Sequence, residues 1–486
     1  MSDAAATSIE YRPGDEAPSE VVTARRTYWQ QVVHDTFVWT TARLGLCWIC
    51  VIASLGVLAP FIASSHPILM KDTAGVVSSP LLRHLTPVDV CVLLFAGLVL
   101  AMVFFPALRK AGVGAPAAVL AAFTLLCVLI FYGTSLVTFS LYRPSPAADA
   151  SSLGRAFAWL IWAVAHVGAV ALLAVLAFAA WQLWSFTLGR LGRAAVAPAI
   201  TLALMLAATL VVRPPQLIDY QVYRDMERAG QVEWVIRTVI PYSPSDRLRD
   251  MPERRLTPPS RQHWLGTESN GADVASRMIH ACRIALAIGF IATGIAVTIG
   301  VTVGGLMGYY AGIFDLLGMR VIEILEAVPR LMLLLAITAM VGRNLYLMML
   351  VIGLTGWMGD ARFIRAEFLK LRKQDFVQAA IAAGVPLRSL LFRHMLPNGI
   401  SPVLVTASFG IAAAILIETT LSFLGLGLID EPSWGQLLNQ ARAGGRGFVP
   451  WLAIFPGMAI FFTVFAYTLI GEAMRDALDP KLRKRE

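Results

Sequence analysis

Residues 365–398 read RAEFLKLRKQDFVQAAIAAGVPLRSLLFRHMLPN and lie between two segments that are apolar enough to enter a lipid bilayer. Short loops rich in Lys and Arg are typical of the cytoplasmic side of a membrane. The basic residues of this stretch are Arg365, Lys370, Arg372, Lys373, Arg388 and Arg393. The stretch therefore predicts a cytoplasmic loop that connects two membrane-spanning helices.

Apolar side chains recur within this loop at roughly helical spacing, which predicts short amphipathic helices. They are Phe376, Val377, Ala380, Ile381, Val385, Leu387, Leu390 and Leu391. Gly384 and Pro386 interrupt the run, and Pro397 is expected to end it. We call residues 366–397 the elbow. A basic elbow with an apolar face indicates a binding surface for a soluble partner protein.

The composition of the chain is that of a membrane protein. Of its 486 residues, 57% are hydrophobic and only 15% are charged, and the mean hydropathy is +0.68. A soluble domain could not cover so much apolar surface, so we expect an all-α polytopic membrane protein. The net charge of +9 fits an excess of Lys and Arg in cytoplasmic loops and does not indicate nucleic-acid binding.

Ten apolar segments approach the length of about 20 residues that a helix needs to cross a bilayer. They are residues 44–63, 89–107, 115–139, 156–184, 195–212, 277–309, 316–340, 345–365, 398–420 and 450–473. With a cytoplasmic N-terminus, the short basic loops fall inside the cell and two longer polar segments fall outside. A short strand is expected within residues 232–239 of the second outer segment, which should have little core of its own.

These segments divide the chain into a permease-like core and an insertion. The predicted parts are a cytoplasmic tail (1–43), a first core helix (44–63), an extracytoplasmic segment (64–88), an inserted four-helix module (89–212), a second extracytoplasmic segment (213–276), the core (277–473) and a cytoplasmic tail (474–486). Four inserted helices are an even number, so the insertion leaves the orientation of the following core unchanged.

Seven residues of the elbow form a spaced pattern: Gln378, Ala379, Ala380, Gly384, His394, Leu396 and Pro397. The pattern resembles the EAA loop of ABC importer permeases, which docks into a cleft of the ATPase subunit. Gln378 stands where that family has Glu. His394 stands where many members have Ile, although peptide-type permeases commonly carry His there. Small residues allow close approach, and Gly384 supplies backbone freedom at the bend.

Further motifs across residues 258–486 resemble oligopeptide, dipeptide and nickel permeases. Residues 263–273 are similar to the motif HxLGTDxxGRD, and Thr267 and Asp273 are expected to cap the following helix. The stretches LSFLGLG (421–427) and PSWG (432–435) also match. The resemblance favours the microcin C/oligopeptide branch, and the inserted module lies outside it.

The resemblance implies a permease subunit of a type I importer that takes up peptides or peptide-like solutes by alternating access. The implied partners are a second permease, which makes a heterodimer, two ABC ATPase subunits, an extracytoplasmic peptide-binding protein and membrane lipids. ATP and Mg would be bound by the ATPase subunits, because no Walker A pattern occurs in this chain. The chain itself is expected to hold no catalytic residue, cofactor or metal. The implied location is the bacterial inner membrane, with both termini in the cytoplasm.

Four glycines recur at four-residue intervals: Gly300, Gly304, Gly308 and Gly312. Such spacing gives a helix a smooth face that another helix can approach closely. The pattern predicts a helix-packing seam. The sequence does not decide what packs against this seam. It is either another helix of the same bundle or the second permease subunit.

Three acidic residues, Glu323, Glu326 and Glu418, lie in apolar segments, where a charge usually faces a cavity or a partner. They are candidates for the translocation pathway, where they could bind the amino terminus of a peptide. The alternative is an internal ion pair with Arg320 or Arg330. The same glutamates leave open a proton-coupled secondary transporter. A membrane scaffold that has lost transport is a third interpretation.

Overall fold

The computed structural model describes residues 28–89 and 220–478, with gaps at 74, 87, 88, 342, 428–430 and 444–446, together with positions 92, 93 and 96. The predicted spans of the inserted module 89–212 lie outside these described residues almost entirely. So do the first 27 residues and the last eight residues of the chain.

Helices dominate the described part of the chain. They are α1 (Tyr28–Val38), α2 (Thr40–Ile62), α3 (Pro80–Arg83), α4 (Val222–Arg228), α5 (Val274–Tyr310), α6 (Gly312–Ala327), α7 (Arg330–Val341), α8 (Leu345–Leu354), α9 (Trp357–Leu371), α10 (Asp375–Ala382), α11 (Leu387–Ser389), α12 (Leu396–Gly399), α13 (Ser401–Leu421), α14 (Trp434–Ala443) and α15 (Pro450–Leu478). Wider π-helical turns occupy Leu390–Met395 and Ser422–Leu426.

Five helical segments of the described chain are long and apolar enough to cross a membrane: Thr40–Ile62, Val274–Tyr310, Leu345–Leu371, Ser401–Leu426 and Pro450–Leu478. They correspond to the predicted spans 44–63, 277–309, 345–365, 398–420 and 450–473. The predicted class, a helical polytopic membrane protein, is confirmed.

The predicted span 316–340 is wrong as a single helix, because the chain forms α6 and α7 with a break at Val328 and Pro329. Val328 adopts an extended backbone, with φ −86° and ψ 124°, as expected for a residue before proline. Pro329 also lacks the N–H that a continuous helix would use. The break therefore leaves free backbone groups within an apolar stretch, where they need polar partners.

Helix α5 is the centre of the bundle and packs against α2, α8, α9 and α13. Its glycines Gly300, Gly304 and Gly308 lie directly against α9. A Cβ atom added at Gly300 would be 2.6 Å from Asp360 Cβ, and one added at Gly308 would be 2.6 Å from Phe368 Cβ. These three glycines thus permit a helix crossing within the chain that no larger residue would allow.

Gly312 does not extend this contact as the four-residue spacing predicted. Helix α5 ends at Tyr310, and Gly312 adopts φ +58° at the turn into α6. No atom lies within 4 Å of a Cβ added there. The seam stops at Gly308 because the helix that carries it ends two residues later, at Tyr310.

A small antiparallel sheet joins the two segments that were predicted to lie outside the membrane. Its strands are β1 (Leu69–Asp72), β2 (Val77–Ser78) and β3 (Val232–Ile236), in the order β2-β1-β3. Met70 of β1 pairs with Ser78 on one side and with Val235 on the other. Strand β3 lies within the predicted range 232–239.

This outer region has more core than the sequence suggested. Buried Ile240, Tyr242 and Leu248 form an apolar cluster with Ala63 at the end of α2 and Ala275 in the first turn of α5. The region is therefore stabilised by packing on the C-terminal end of α2 and the N-terminal end of α5, which a pattern confined to the segment could not reveal.

Candidate coupling and translocation site

The first helix of the elbow, α10, ends in a glycine stop. Gly384 adopts φ +70° and donates its N–H to the Ile381 carbonyl oxygen at 2.9 Å, while Val385 donates to the Ala380 carbonyl oxygen at 3.1 Å. These two bonds form a Schellman motif, which requires a left-handed residue that glycine adopts without a Cβ penalty. The predicted bend at Gly384 is present, and its backbone chemistry fixes the direction of the chain.

One face of the elbow is anchored firmly on the bundle. Val377, Leu390, Leu391 and Met395 are at most 5% exposed and pack in one apolar cluster with Phe368 of α9. Burial of a single large apolar side chain stabilises by about 1.5–3 kcal/mol. The elbow is therefore packed against the helix bundle and is not a freely moving loop.

The elbow also exposes large apolar side chains. Phe376, Ile381 and Phe392 are 40%, 42% and 46% exposed, and Ala379 and Gly384 lie in the open beside them. Basic side chains of the same segment, Lys373, Arg388 and Arg393, are exposed as well. Exposed apolar side chains among charged ones are characteristic of a protein-binding surface.

Four further residues of the spaced pattern, Gln378, Ala380, His394 and Leu396, differ in exposure. Gln378 donates its side-chain Nε2 to the Arg372 carbonyl oxygen at 2.7 Å, which ties α10 to the end of α9. Ala380, His394 and Leu396 are half-buried.

Pro397 does not end the helical run as predicted. It occupies the first turn of α12, where a missing N–H costs nothing. A π-helical turn, Leu390–Met395, precedes it.

An ion pair and a hydrogen bond connect the end of α9, just before α10 of the elbow, to the neighbouring helices. Arg365 near the end of α9 forms a two-bond ion pair with Asp315 of α6, with one bond of 2.6 Å between Nη2 and Oδ2. Arg372 donates to the Tyr310 carbonyl oxygen at 3.5 Å. These contacts tie the end of α9, which leads into the elbow, to α5 and α6.

Two of the three candidate pathway glutamates lie on the surface of the described chain. Glu323 is paired with Arg320 at 2.6 Å on the same helix, as one predicted alternative had it. Glu326 is paired with Arg362 of α9. The predicted partner Arg330 instead donates to the Ile352 carbonyl oxygen at 3.1 Å. The side chains of Glu323 and Glu326 are 47% and 35% exposed, so this charged face of the described chain is accessible.

Glu418 has a different environment, because it is only 3% exposed. Its Oε1 accepts hydrogen bonds from Ser422 Oγ at 2.6 Å and from Ser433 Oγ at 2.7 Å. Ser433 Oγ also accepts the Gly435 N–H at 3.1 Å at the start of α14. Glu418 therefore fastens the π-helical turn after α13 to α14, and the structure does not bring it together with Glu323 and Glu326.

Comparison with known proteins gives a family. Residues 300–484 match the family of binding-protein-dependent transport system inner membrane components. The dipeptide transport system permease protein DppC of Alkalihalophilus pseudofirmus is 36% identical over 233 residues, which are 48% of this chain and 76% of that protein. The oligopeptide transport system permease protein OppC of Haemophilus influenzae is 41% identical over 223 residues, 46% of this chain and 71% of that protein. The chain belongs to this family.

A third relative extends the comparison. The glutathione transport system permease protein GsiD of Pectobacterium atrosepticum is 39% identical over 226 residues, which are 46% of this chain and 75% of that protein. The permease is thus an inner-membrane, multi-pass protein. The matches cover less than half of it, whereas they cover most of each relative.

The motif at residues 263–273 holds the N-terminal end of α5. Asp273 Oδ1 accepts the Ser276 N–H at 2.8 Å, as predicted for a cap, and its Oδ2 binds His263 Nδ1 at 2.8 Å. Thr267 does not cap this helix. Its hydroxyl donates to the Arg254 carbonyl oxygen at 2.6 Å and accepts the Thr257 N–H at 2.9 Å.

Glu268 in the same motif is fully buried and links residues 263–273 to α14. It forms a 3.2 Å ion pair with Arg277 and accepts a hydrogen bond from Gln440 Nε2 at 2.9 Å. Burial raises the pKa of Glu268, and the charge of Arg277 together with the Gln440 hydrogen bond offsets this only in part.

The sequence analysis did not single out Arg362 or Gln440, whereas Ser433 fell within the PSWG motif. Arg362 and Gln440 lie 36 and 172 residues from the glutamates that they contact, and their residue types are ordinary for their segments. No local signal marks such a residue, because its role arises only when two distant segments pack together.

Proposed function

We propose that the permease is one membrane subunit of an ATP-driven importer for peptides or peptide-like solutes. The observation that carries this proposal is the elbow, which exposes large apolar side chains while other side chains of the same segment pack on the bundle. The names of the relatives support the solute class, because they are permeases for dipeptides, oligopeptides and glutathione. Transport of microcin C-like peptides, which the motifs favour, is the narrower form of the same proposal.

In this proposal the elbow docks into a cleft of an ABC ATPase subunit. Phe376, Ile381 and Phe392 enter the cleft, and the basic rim meets acidic side chains around it. Closure of two ATPase subunits, which bind ATP and Mg, pushes the elbow. The ion pair between Arg365 and Asp315 passes that motion to α6 and α9, and the cavity opens inward.

The other partners follow from the same assembly. A second permease completes the cavity, and an extracytoplasmic peptide-binding protein delivers the solute on the side of the small sheet. Both termini and the elbow lie in the cytoplasm. The chain has no ATPase site of its own and works without a metal or cofactor; the assembled complex hydrolyses ATP.

The charged face of α6 and α9 is the proposed inner part of the pathway. Glu323, Glu326 and Arg362 are partly exposed, and side chains of this kind are costly to expose to lipid. A water-filled cavity or the second permease therefore covers them. There they would exchange their internal partners for the charged ends of a peptide, whereas Glu418 would hold the outer end of the pathway in shape.

The substitution Gly384→Trp tests the coupling role. The left-handed backbone at Gly384 costs an L-residue about 1–2 kcal/mol, and an indole would protrude from the exposed face. In reconstituted complexes we expect solute uptake to fall by about tenfold or more, the equivalent of 1.4 kcal/mol, while ATP hydrolysis continues. Gly230→Trp is the matched control, since Gly230 also has a positive φ and open surroundings but lies on the sheet side.

Normal uptake by the Gly384→Trp permease would contradict coupling through the elbow. A separate experiment addresses the alternative class of transporter. If the chain alone, in liposomes without ATPase subunits, accumulated peptides under a proton gradient, it would be a secondary transporter, and Glu323 and Glu326 would become proton-relay candidates.

A further inference from the structure

An arginine in the apolar helix α5 is held by a residue from the start of the inserted module. Arg283 lies nine residues after the first residue of α5, Val274, which is about 13 Å along the helix axis. Its side chain is only 17% exposed. A charge at this depth is costly unless another group compensates it.

The Arg283 guanidinium connects three segments of the chain. Its Nη1 donates to Asp89 Oδ1 at 2.5 Å, and its Nε and Nη2 donate to the Gly56 carbonyl oxygen of α2 at 3.3 and 3.2 Å. A Cβ atom added at Gly56 would lie 3.1 Å from Arg283 N, so α2 and α5 cross closely at this point. The arginine is thus bound to α2 and to Asp89 at once.

Hydrogen bonds to Thr86 also hold the Asp89 side chain in place. Its Oδ2 accepts the Thr86 N–H at 2.8 Å and the Thr86 hydroxyl at 2.7 Å, while its own N–H donates to Thr86 Oγ1 at 3.2 Å. These reciprocal bonds follow the capping-box pattern. Oδ1 is left for Arg283, so the carboxylate divides its two oxygens between its own segment and the core.

The chain is also fastened where it returns to the described part after residue 219. Arg224 is 7% exposed and forms ion pairs with Asp246 at 2.6 Å and with Asp250 at 2.9 Å. Asp246 Oδ2 accepts the Ser65 hydroxyl at 2.6 Å, just beyond the end of α2. Buried arginine–carboxylate pairs therefore bind the chain on both sides of residues 90–219, and both lie next to α2.

We propose that Arg283 is the point at which the permease core holds the inserted module, with Asp89 as the residue that reaches it. Among the described residues, no other carboxylate pairs with Arg283. The pair fixes the chain on the core at the residue where the predicted insertion begins. The partner that this core site accepts is the carboxylate of the chain's own inserted segment.

A double-mutant cycle on the full chain tests the proposal without any transport measurement. Breaking a buried pair leaves one charge uncompensated, so Asp89→Asn alone should lower the apparent unfolding temperature in detergent by about 5 °C or more. The double variant Asp89→Asn/Arg283→Gln removes both charges and should lie above the Asp89→Asn variant. Limited proteolysis with mass spectrometry should show faster cleavage within residues 90–219 in the Asp89→Asn chain.

The exposed pair of Lys71 and Glu233, with an N–O distance of 2.6 Å, supplies the control. Glu233→Gln should change neither the unfolding temperature nor the cleavage pattern, because exposed pairs contribute little. Additive temperature shifts in the double variant would overturn the proposal. So would an unchanged cleavage rate within residues 90–219 in the Asp89→Asn chain.

Discussion

At the scale of single residues, Glu418 shows how a carboxyl group can be kept inside an apolar helix. Both serine hydroxyls that contact it donate to the same oxygen, and one of them also accepts the N–H of Gly435 from the start of α14. The carboxyl group therefore stabilises a turn and a helix start together. A buried network of this kind holds the turn and the helix start in one arrangement.

Replacement of Glu418 by Ala should destabilise the permease by about 1–3 kcal/mol, because Ser422 and Ser433 would lose a buried acceptor. The apparent unfolding temperature in detergent measures this loss. Thr420→Ala is the control, since the exposed Thr420 hydroxyl bonds only within its own helix. Equal unfolding temperatures for the Glu418→Ala and Thr420→Ala chains would show that the clasp contributes nothing.

At the scale of elements, the elbow joins two properties that rarely occur in one loop. Its inner face packs like part of a core, and its outer face exposes large apolar side chains. The Schellman stop at Gly384 separates α10 from the second half, so the two parts meet at a fixed angle. In the proposed coupling, this fixed angle would let a push on the elbow move the helices behind it.

Ile381→Asp should remove the ATPase subunits from the purified complex while the permease stays folded. The side chain is 42% exposed, so its change costs little stability, but a carboxylate in an apolar cleft would be desolvated without a partner. We expect recovery of ATPase subunits to fall by about tenfold or more, which 1.4 kcal/mol suffices to cause. Ile236→Asp, 49% exposed on β3, should leave recovery unchanged. Full recovery with Ile381→Asp would place docking elsewhere.

At the scale of the whole molecule, the outer region depends on contacts between segments that the insertion separates. His66, 6% exposed, stacks on His84 with 4.1 Å between ring centroids, and Tyr220 and Tyr223 pack against the His66 ring. Burial, together with the charge of His84, lowers the pKa of His66 to about 4, and Asp246 opposes this shift. The imidazole is therefore neutral in the folded protein at neutral pH.

This lowered pKa makes the outer region sensitive to acid. The unfolded chain binds a proton on His66 near pH 6.5, so the stabilisation is present above that pH and is lost as the pH falls towards 4. The free energy of unfolding therefore falls by about 3 kcal/mol over this pH range. Hydrogen exchange of the sheet amides at pH 7 and pH 4.5, corrected for intrinsic rates, measures it. His66→Phe should reduce the pH dependence, whereas His34→Phe, at an exposed site in α1, should not. Equal pH dependence in wild type and His66→Phe would refute the assignment.

The sequence by itself determined the features that a few neighbouring residues encode. Composition gave the membrane class, and the length of continuous apolar segments gave five of the spans in the described chain. Local backbone chemistry gave the stop at Gly384 and the cap at Asp273. These patterns are readable because periodicity, capping and turn preferences act over one or two helical turns.

Only the tertiary structure decided which groups meet. It paired Glu326 with Arg362, 36 residues away, and Asp89 with Arg283, 194 residues away, and it placed Gly300 and Gly308 against α9 instead of on an outer seam. It also divided the predicted span 316–340 at Pro329. A charge or a glycine specifies only what kind of partner it accepts, and packing of the whole bundle chooses among the residues of that kind.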